Sequence, residues 1–375
     1  MPVIFTIPFV LGTLYLWWRV TAAFPRLRKS WIFNVFFWLA LLMCIPFLLH
    51  WRPRGETYEW LLFVPWVWMA IVNWFAWPFL FFDGWNLFFG GVSRFWKRAE
   101  ILRVPMRRVG VVALSFLGIA IAWGLWEANF PRIQRLEIDA PQLTEEVRIG
   151  CIADLHLSPV PNWYRLNKMI RIVNQEDVDI LLNLGDISDG RGKSLERQVE
   201  ALQKLQCRTG LKFAVEGNHE YREGLDYTMM LHRLSGFQML KNESVMVGEH
   251  LMIYGVEDRY SELYGRPHSS MIFPEHSSDK VFALYLIHQP DPPSTTAEPH
   301  KVDLQLSGHT HGGQLFPNSA IARWRYRVPT GELLTMPEGR LLYIHRGTGA
   351  YGPPFRMGAR SEIVFITLKP GGKQE

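Results

Sequence analysis

Cysteine is scarce, with 3 in 375 residues, and that excludes a disulfide-stapled scaffold. Glycine and proline number 30 and 24, near ordinary usage, which excludes collagen-like and low-complexity repeats. Disorder is excluded as well, since 48% of the residues are apolar and 14% aromatic. A further scarcity is regional. Up to Phe130 the chain holds 14 of its 16 Trp and 12 Lys/Arg against only 5 Asp/Glu; beyond it the charges stand at 28 against 30. The basic balance therefore belongs to the first part. The second part is slightly acidic and lacks the basic face that nucleic-acid binding requires. No nucleic acid and no protein partner are expected.

Ionisable residues are almost missing from four apolar runs, at 2–20, 31–49, 60–82 and 109–126. Each is near the ~20 residues a helix needs to cross a hydrocarbon core about 30 Å thick, where every backbone polar group must be satisfied internally. Trp17, Trp18, Trp31, Trp51, Trp60 and Trp126 mark the run ends, as suits rings at headgroup level. About four membrane spans are therefore expected within 1–130, with the lipid bilayer as partner. Arg19 and Asp83 fall only at run edges, and this lack of mid-membrane charge indicates an anchor rather than a transport path.

The first connection carries Arg26, Arg28 and Lys29, and the third carries Arg94, Lys97, Arg98, Arg103, Arg107 and Arg108. The second has only Arg52 and Arg54. Cations concentrate on the cytoplasmic side, so the soluble part is expected on the extracytoplasmic face, with a bacterial inner membrane as the expected location. The third connection also carries Trp85, Phe88, Phe89, Phe95 and Trp96, a mixture suited to the headgroup layer.

From residue 131 to 375, short apolar runs alternate with polar stretches of helical period, the pattern of a layered α/β domain. Helices are expected over 162–175 and 194–206, and over 225–235 with Gly236 as the stop. Five apolar runs lead directly into metal-ligand residue types: 147–153 into Asp154 and His156, 179–184 into Asp186, 211–215 into Asn218, His219 and Glu220, 281–287 into His288, and 302–306 into His309 and His311. The carboxyl ends of strands in open α/β sheets form crevices, so these loops are expected to converge on one site. Asp154 and His156 stand two apart, and so do His309 and His311. On an extended segment each pair faces one way and can chelate one ion. Asp186 can bridge two cations, and Asn218 offers a neutral oxygen. Oxygen and nitrogen ligands without thiolate favour Mn, Fe or Zn. Two such ions about 3.5 to 4 Å apart can hold a hydroxide and clamp both oxygens of an in-line displacement at phosphorus. The other histidines are expected to be structural or exposed, and Cys151 and Cys207 to be unpaired.

The series Asp154-x-His156, Gly185-Asp186, Gly217-Asn218-His219-Glu220, His288 and Gly308-His309-x-His311 resembles the calcineurin-like metallophosphoesterases. Gly312-Gly313-Gln314 and the tail over 346–368 resemble their membrane-attached branch. The resemblance implies an α/β fold, a four-layer αββα sandwich preceded here by the helical transmembrane region. It also implies two divalent ions, one on Asp154, His156 and His311 and the other on Asn218, His288 and His309, with Asp186 bridging. His219 would stabilise charge or protonate the leaving oxygen, oriented by Glu220. The expected activity is hydrolysis of a phosphodiester or pyrophosphate, on a lipid-linked or small-molecule phosphate. One alternative is UDP-2,3-diacylglucosamine hydrolysis at the cytoplasmic face, against which the charge asymmetry argues. Another is a non-catalytic scaffold that keeps the fold, against which the complete ligand set argues.

Arg323, Arg325 and Arg327 alternate with Trp324 and Tyr326. If that run is extended, three guanidinium groups share one face and can receive an anionic headgroup. Replacing all three with Gln is expected to raise KM for an anionic lipid substrate and leave a small soluble diester unaffected; equal effects on both would refute the assignment.

Overall fold

The computed structural model describes residues 3–43, 56–264, 280–290, 302–316, 329–336 and 339–371. The chain divides into two compact units. One comprises Met1–Leu125 with Gly352–Phe355, the other Trp126–Tyr351 with Arg356–Glu375.

The first unit is helical: α1 (Val3–Ala23), α2 (Pro25–Arg28), α3 (Trp31–Leu42), α4 (Glu56–Val92) and most of α5 (Met106–Asn129). Two stretches, Phe63–Val92 and Lys97–Asn129, are long and apolar enough to cross a membrane. Helix α3 is apolar but shorter, and the end of its sequence run lies outside the described residues, as do Arg52 and Arg54. The third run extends further than its apolar pattern implied. Helix α4 continues through Asp83 to Val92, because Asp83 accepts hydrogen bonds from Tyr15 Oη at 2.7 Å and Arg19 Nε at 2.6 Å. The acid and the cation expected at separate run edges are thus paired with each other. Pairing removes the cost of an isolated charge in a unit whose buried cluster, with Leu16, Trp68, Phe75 and Phe79, is apolar.

The second unit is an α/β sandwich of two mixed six-stranded sheets. The first sheet holds β1 (Arg132–Ala140), β2 (Val147–Ile152), β3 (Ile180–Asn183), β4 (Leu211–Ala214), β5 (Gln238–Met239) and β12 (Glu362–Pro370), in the order β1-β12-β2-β3-β4-β5. The second holds β6 (Glu243–Val247), β7 (Leu251–Gly255), β8 (Phe282–Leu286), β9 (Leu304–Ser307), β10 (Leu333–Thr335) and β11 (Leu341–Ile344), in the order β10-β11-β9-β8-β7-β6. Strands β2, β3 and β4 pair in parallel, and so do β7, β8 and β9. Parallel strands end on the same side, so the loops that leave β2, β3, β4, β8 and β9 gather at one edge of the sandwich.

Between the sheets lie Ile149, Leu182, Phe213, Ile253, Leu284 and Leu306. A second apolar layer joins the first sheet to α6 (Trp163–Asn174), α7 (Lys193–Ala201) and α9 (Leu225–Ser235), with α8 (Asn218–Glu223) in between in sequence. The helices expected from periodicity are present, and Gly236 ends α9 in a left-handed conformation at φ 81°. Phe213 is 1% exposed in the inter-sheet core, so Phe213→Ala is expected to cost about 3–5 kcal/mol. Thermal unfolding of the purified chain in detergent measures it, and an unchanged midpoint would show that this core does not carry the unit's stability.

Candidate dinuclear metal centre

Every loop that sequence pattern led towards the site arrives there, but not as an extended segment. Asp154, His156, Asp186, His309 and His311 all have left-handed backbones, with φ of 51°, 44°, 54°, 70° and 50°. Alternation along a strand therefore does not explain how each pair faces one way. The chain turns sharply where the strand ends, and each turn aims its side chain inward. Non-glycine residues at positive φ are costly. Here the surrounding hydrogen bonds hold them: Asp154 N–H donates to Gly185 O at 3.0 Å, His156 N–H to Asp186 O at 3.1 Å, and His309 N–H to Asp154 Oδ1 at 2.9 Å. Gly308 is required by proximity, since a Cβ there would lie 2.8 Å from Asp154 Oδ2.

Three groups of close ligand atoms result. Asp154, His156 and His311 form one cluster and Asp186, His288 and His309 another, while His156, Asp186 and His219 form a third that overlaps both. In the first, His156 Nε2 lies 2.9 Å from His311 Nε2, and His311 Nε2 lies 3.5 Å from Asp154 Oδ1. In the second, His288 Nε2 lies 3.2 Å from Asp186 Oδ2, and His309 Nδ1 lies 2.7 Å from Asn218 Oδ1. Asp186 Oδ2 is also 3.6 Å from His156 Nε2, so a single oxygen serves both clusters, while Oδ1 accepts from His219 N–H at 2.9 Å.

These spacings fit divalent ions. Ligand atoms about 2.1 Å from a common ion stand roughly 3 to 3.4 Å apart, and most of the separations fall in or near that range. Asp154 Oδ2 and His288 Nε2 are buried without a hydrogen-bond partner, which a bound cation resolves. Ring orientation agrees too. His288 Nδ1 donates to Leu184 O at 2.7 Å and His156 Nδ1 to Asp189 Oδ2 at 3.0 Å, leaving Nε2 of both rings for a metal. At His311 the outer partner is instead the guanidinium of Arg356, 3.0 Å from Nδ1.

His219 is adjacent to both clusters, but its nitrogens are engaged elsewhere. Nδ1 bonds Asp189 Oδ1, and Nε2 accepts from Arg222 Nη1 at 2.9 Å. This corrects the role expected of Glu220. The Glu220 carboxylate accepts from the N–H groups of Asp186, Ile187 and Gly217 at 3.1, 2.9 and 2.8 Å and bonds His232 Nε2 at 3.2 Å. It fixes the two loops that present Asp186 and Asn218, and Asp189 orients the catalytic candidate. Burial opposes the charge on Asp189, yet His156 and His219 outweigh it and hold the carboxyl well below its usual range.

Asp189 stands three residues beyond Asp186, and Arg222 one helical turn beyond His219; both spacings were legible. Tyr351, whose ring is 4.8 Å from that of His219, and Arg356 come from the tail with no local signal. Arg356 is fully buried and donates to the carbonyls of Gly349, Arg346 and Ala359 at 2.7, 2.7 and 3.0 Å, tying the tail to His311. Arg323, Arg325 and Arg327 lie outside the described residues. Cys151 and Cys207 are unpaired, as expected.

Residues 147–313 match the calcineurin-like phosphoesterases. A metallophosphoesterase of Aquifex aeolicus, described as uncharacterized, is 34% identical over 263 residues, which cover 68% of this chain and 99% of that one. The chain belongs to the calcineurin-like metallophosphoesterase family. A Danio rerio relative described as a transmembrane protein with metallophosphoesterase domain is 28% identical over 96% of this chain and 87% of its own, so the likeness reaches into the helical region. A Helicobacter pylori metallophosphoesterase, also described as uncharacterized, is 29% identical over 76% of this chain and 78% of its own. Family members normally bind divalent metals, in keeping with the two clusters.

The electrostatics set a pH dependence for metal uptake. Burial, reinforced by Asp186, pushes the Asp154 carboxyl up to about 6. At His288 burial opposes a proton, but Asp186, Asp154 and Asp258 outweigh it and raise the imidazole well above its usual range. His309 and His311 are lowered, chiefly by burial, and stay neutral. A cation must therefore displace protons from His288 and, in acid, from Asp154. Apparent Mn or Zn affinity is expected to rise with pH by about tenfold per unit for each proton displaced. Calorimetric titration at pH 5.5, 6.5 and 7.5 measures this, and a flat profile would contradict the assignment.

Proposed function

We propose that this protein is a membrane-anchored, dinuclear-metal phosphohydrolase that cleaves a lipid-linked phosphodiester or pyrophosphate. One observation carries the reading: Asp186 Oδ2 stands between two clusters of ligand atoms, beside a histidine whose Nδ1 is held by Asp189 and whose Nε2 faces Arg222. Two divalent ions, when bound, supply the positive charge that activates water and neutralises phosphoryl oxygens. Asp154, His156 and His311 would hold one, Asn218, His288 and His309 the other, and Asp186 both.

The chain's own residues supply the rest. With Nδ1 engaged by Asp189, His219 can deliver a proton to a leaving oxygen only from Nε2, and only once that nitrogen is protonated and no longer accepts from Arg222. Arg222, 2.9 Å from that nitrogen, places a cation where the phosphoryl group and its leaving side carry negative charge. Tyr351, near the rings of both His156 and His219, walls this side of the site and limits water.

The preference for a lipid substrate rests on effective concentration, since a catalytic unit tethered by apolar helices meets membrane substrates far more often than soluble ones. Four spans, with the catalytic unit on the extracytoplasmic side of a bacterial inner membrane, complete the proposal, and the Lys/Arg asymmetry of the connections supports that side.

The test uses the purified full-length chain loaded with Mn and assayed on a phosphodiester and a pyrophosphate. His219→Gln is expected to lower kcat by about 100- to 10,000-fold while two ions per chain remain bound. Asp186→Asn is expected to lose metal and activity together. Undiminished turnover by either variant, or no hydrolysis of either ester class by the fully loaded wild-type chain, would overturn the reading.

A further inference from the structure

The phosphoesterase unit carries an aromatic and cationic patch beside the end of α5. Trp126, Phe130, Trp163 and Tyr164 are 45%, 37%, 39% and 58% exposed, unusual for four large rings on one part of a water-facing surface. They are linked. The Arg360 guanidinium lies 4.3 Å over the Trp126 ring and donates through Nε to Phe130 O at 2.7 Å. Lys168 Nζ lies 3.4 Å from the centre of the Phe130 ring and 5.6 Å from that of Tyr164, and the two rings are 6.0 Å apart. Asn162 Nδ2 donates to Asn129 Oδ1 at 2.8 Å, pinning the start of α6 to the last residue of α5.

Charge in the patch has one sign. Helix α6 contains no acidic residue, and among the described residues neither Lys168 nor Arg360 has a carboxylate partner. The nearby Glu127 is turned inward, where its carboxylate accepts from Gly358 N–H at 2.8 Å.

We propose that this patch seats the phosphoesterase unit on anionic lipid headgroups. The inference rests on the membrane reading above. Trp126 lies in the last turn of a helix apolar enough to span a bilayer, so a ring there stands at headgroup depth. Residues in direct contact with Trp126 and Phe130 stand at nearly the same depth, where aromatic rings partition into the interface and unpaired cations meet lipid phosphates. The loop over 157–162 joins metal ligand His156 to this patch, so the seat also holds the site beside the lipid surface.

Hydrogen exchange on the full-length chain in nanodiscs tests the idea, comparing phosphatidylcholine with an equal mixture of phosphatidylcholine and phosphatidylglycerol. The first N–H groups of α6, at Trp163 and Tyr164, lack intrahelical acceptors and exchange readily unless covered. Exchange over 162–166 is expected to slow in the anionic discs by about fivefold for each cation engaged. Lys168→Glu, and separately Arg360→Gln, should each remove about fivefold of that protection while metal content stays at the wild-type level. Equal exchange in both disc types, or protection that neither substitution changes, would overturn the proposal. A chain that fails to enter nanodiscs would overturn the membrane reading itself and this inference with it.

Discussion

The structure depends on concentrating buried negative charge at one place. Asp154, Asp186 and Asp189 meet at the edge of the sandwich with His156, His219 and His288, in a region almost closed to water. Burial disfavours each carboxylate, and what remains stable is a lattice in which each acid faces imidazole rings or N–H groups. Without an ion, a proton on His288 has to supply part of the balancing charge. A pair of divalent ions supplies it fully and satisfies the two orphaned atoms, Asp154 Oδ2 and His288 Nε2. The same concentration of buried carboxylates that is electrostatically costly without an ion suits the site to cations.

This demand explains the backbone. Parallel strands bring five loops together, but a strand end continuing straight would carry its side chains past the site. Left-handed turns at Asp154, Asp186 and His309 redirect the chain within one residue. Glu220 then acts as an internal brace: one carboxylate joins N–H groups from the loops after β3 and β4, so Asp186 and Asn218 keep a fixed separation. A residue that seems placed to help catalysis is instead what holds two ligand loops in register.

Much of this was legible in sequence for a physical reason. The strands are apolar on both faces because sheets and helices cover them, so each ligand stands out as the first polar residue after an apolar run. That signal led to seven candidate ligand residues, which the fold brings together at the ends of the strands that carry them. It failed wherever the informative contact is not periodic. The family resemblance implies Glu220, the next residue in sequence, as the partner that orients His219, whereas on α8 successive side chains diverge and the ring reaches Asp189 in another loop. Arg356 and Tyr351 left no local trace, because their partners lie some 45 and 130 residues earlier in the chain. Asp83 was misplaced at a run end, since hydropathy counts an acid as a stop even when Arg19 neutralises it inside a helix.

The arginines beside the site mark a division between its two halves. Arg222 faces His219, where a leaving group needs charge compensation only while substrate is present, and it is only half-buried. Arg356 is sealed among four carbonyl oxygens and the ring of His311. A guanidinium held that way cannot follow a substrate; its role is to fix the tail against a metal ligand. Rigidity on the metal side and adjustable charge on the leaving-group side suit a hydrolase whose ions must stay fixed while the esterified group varies. The tail that Arg356 secures is the same stretch that carries Arg360, so the order imposed at His311 extends to the aromatic patch at Trp126.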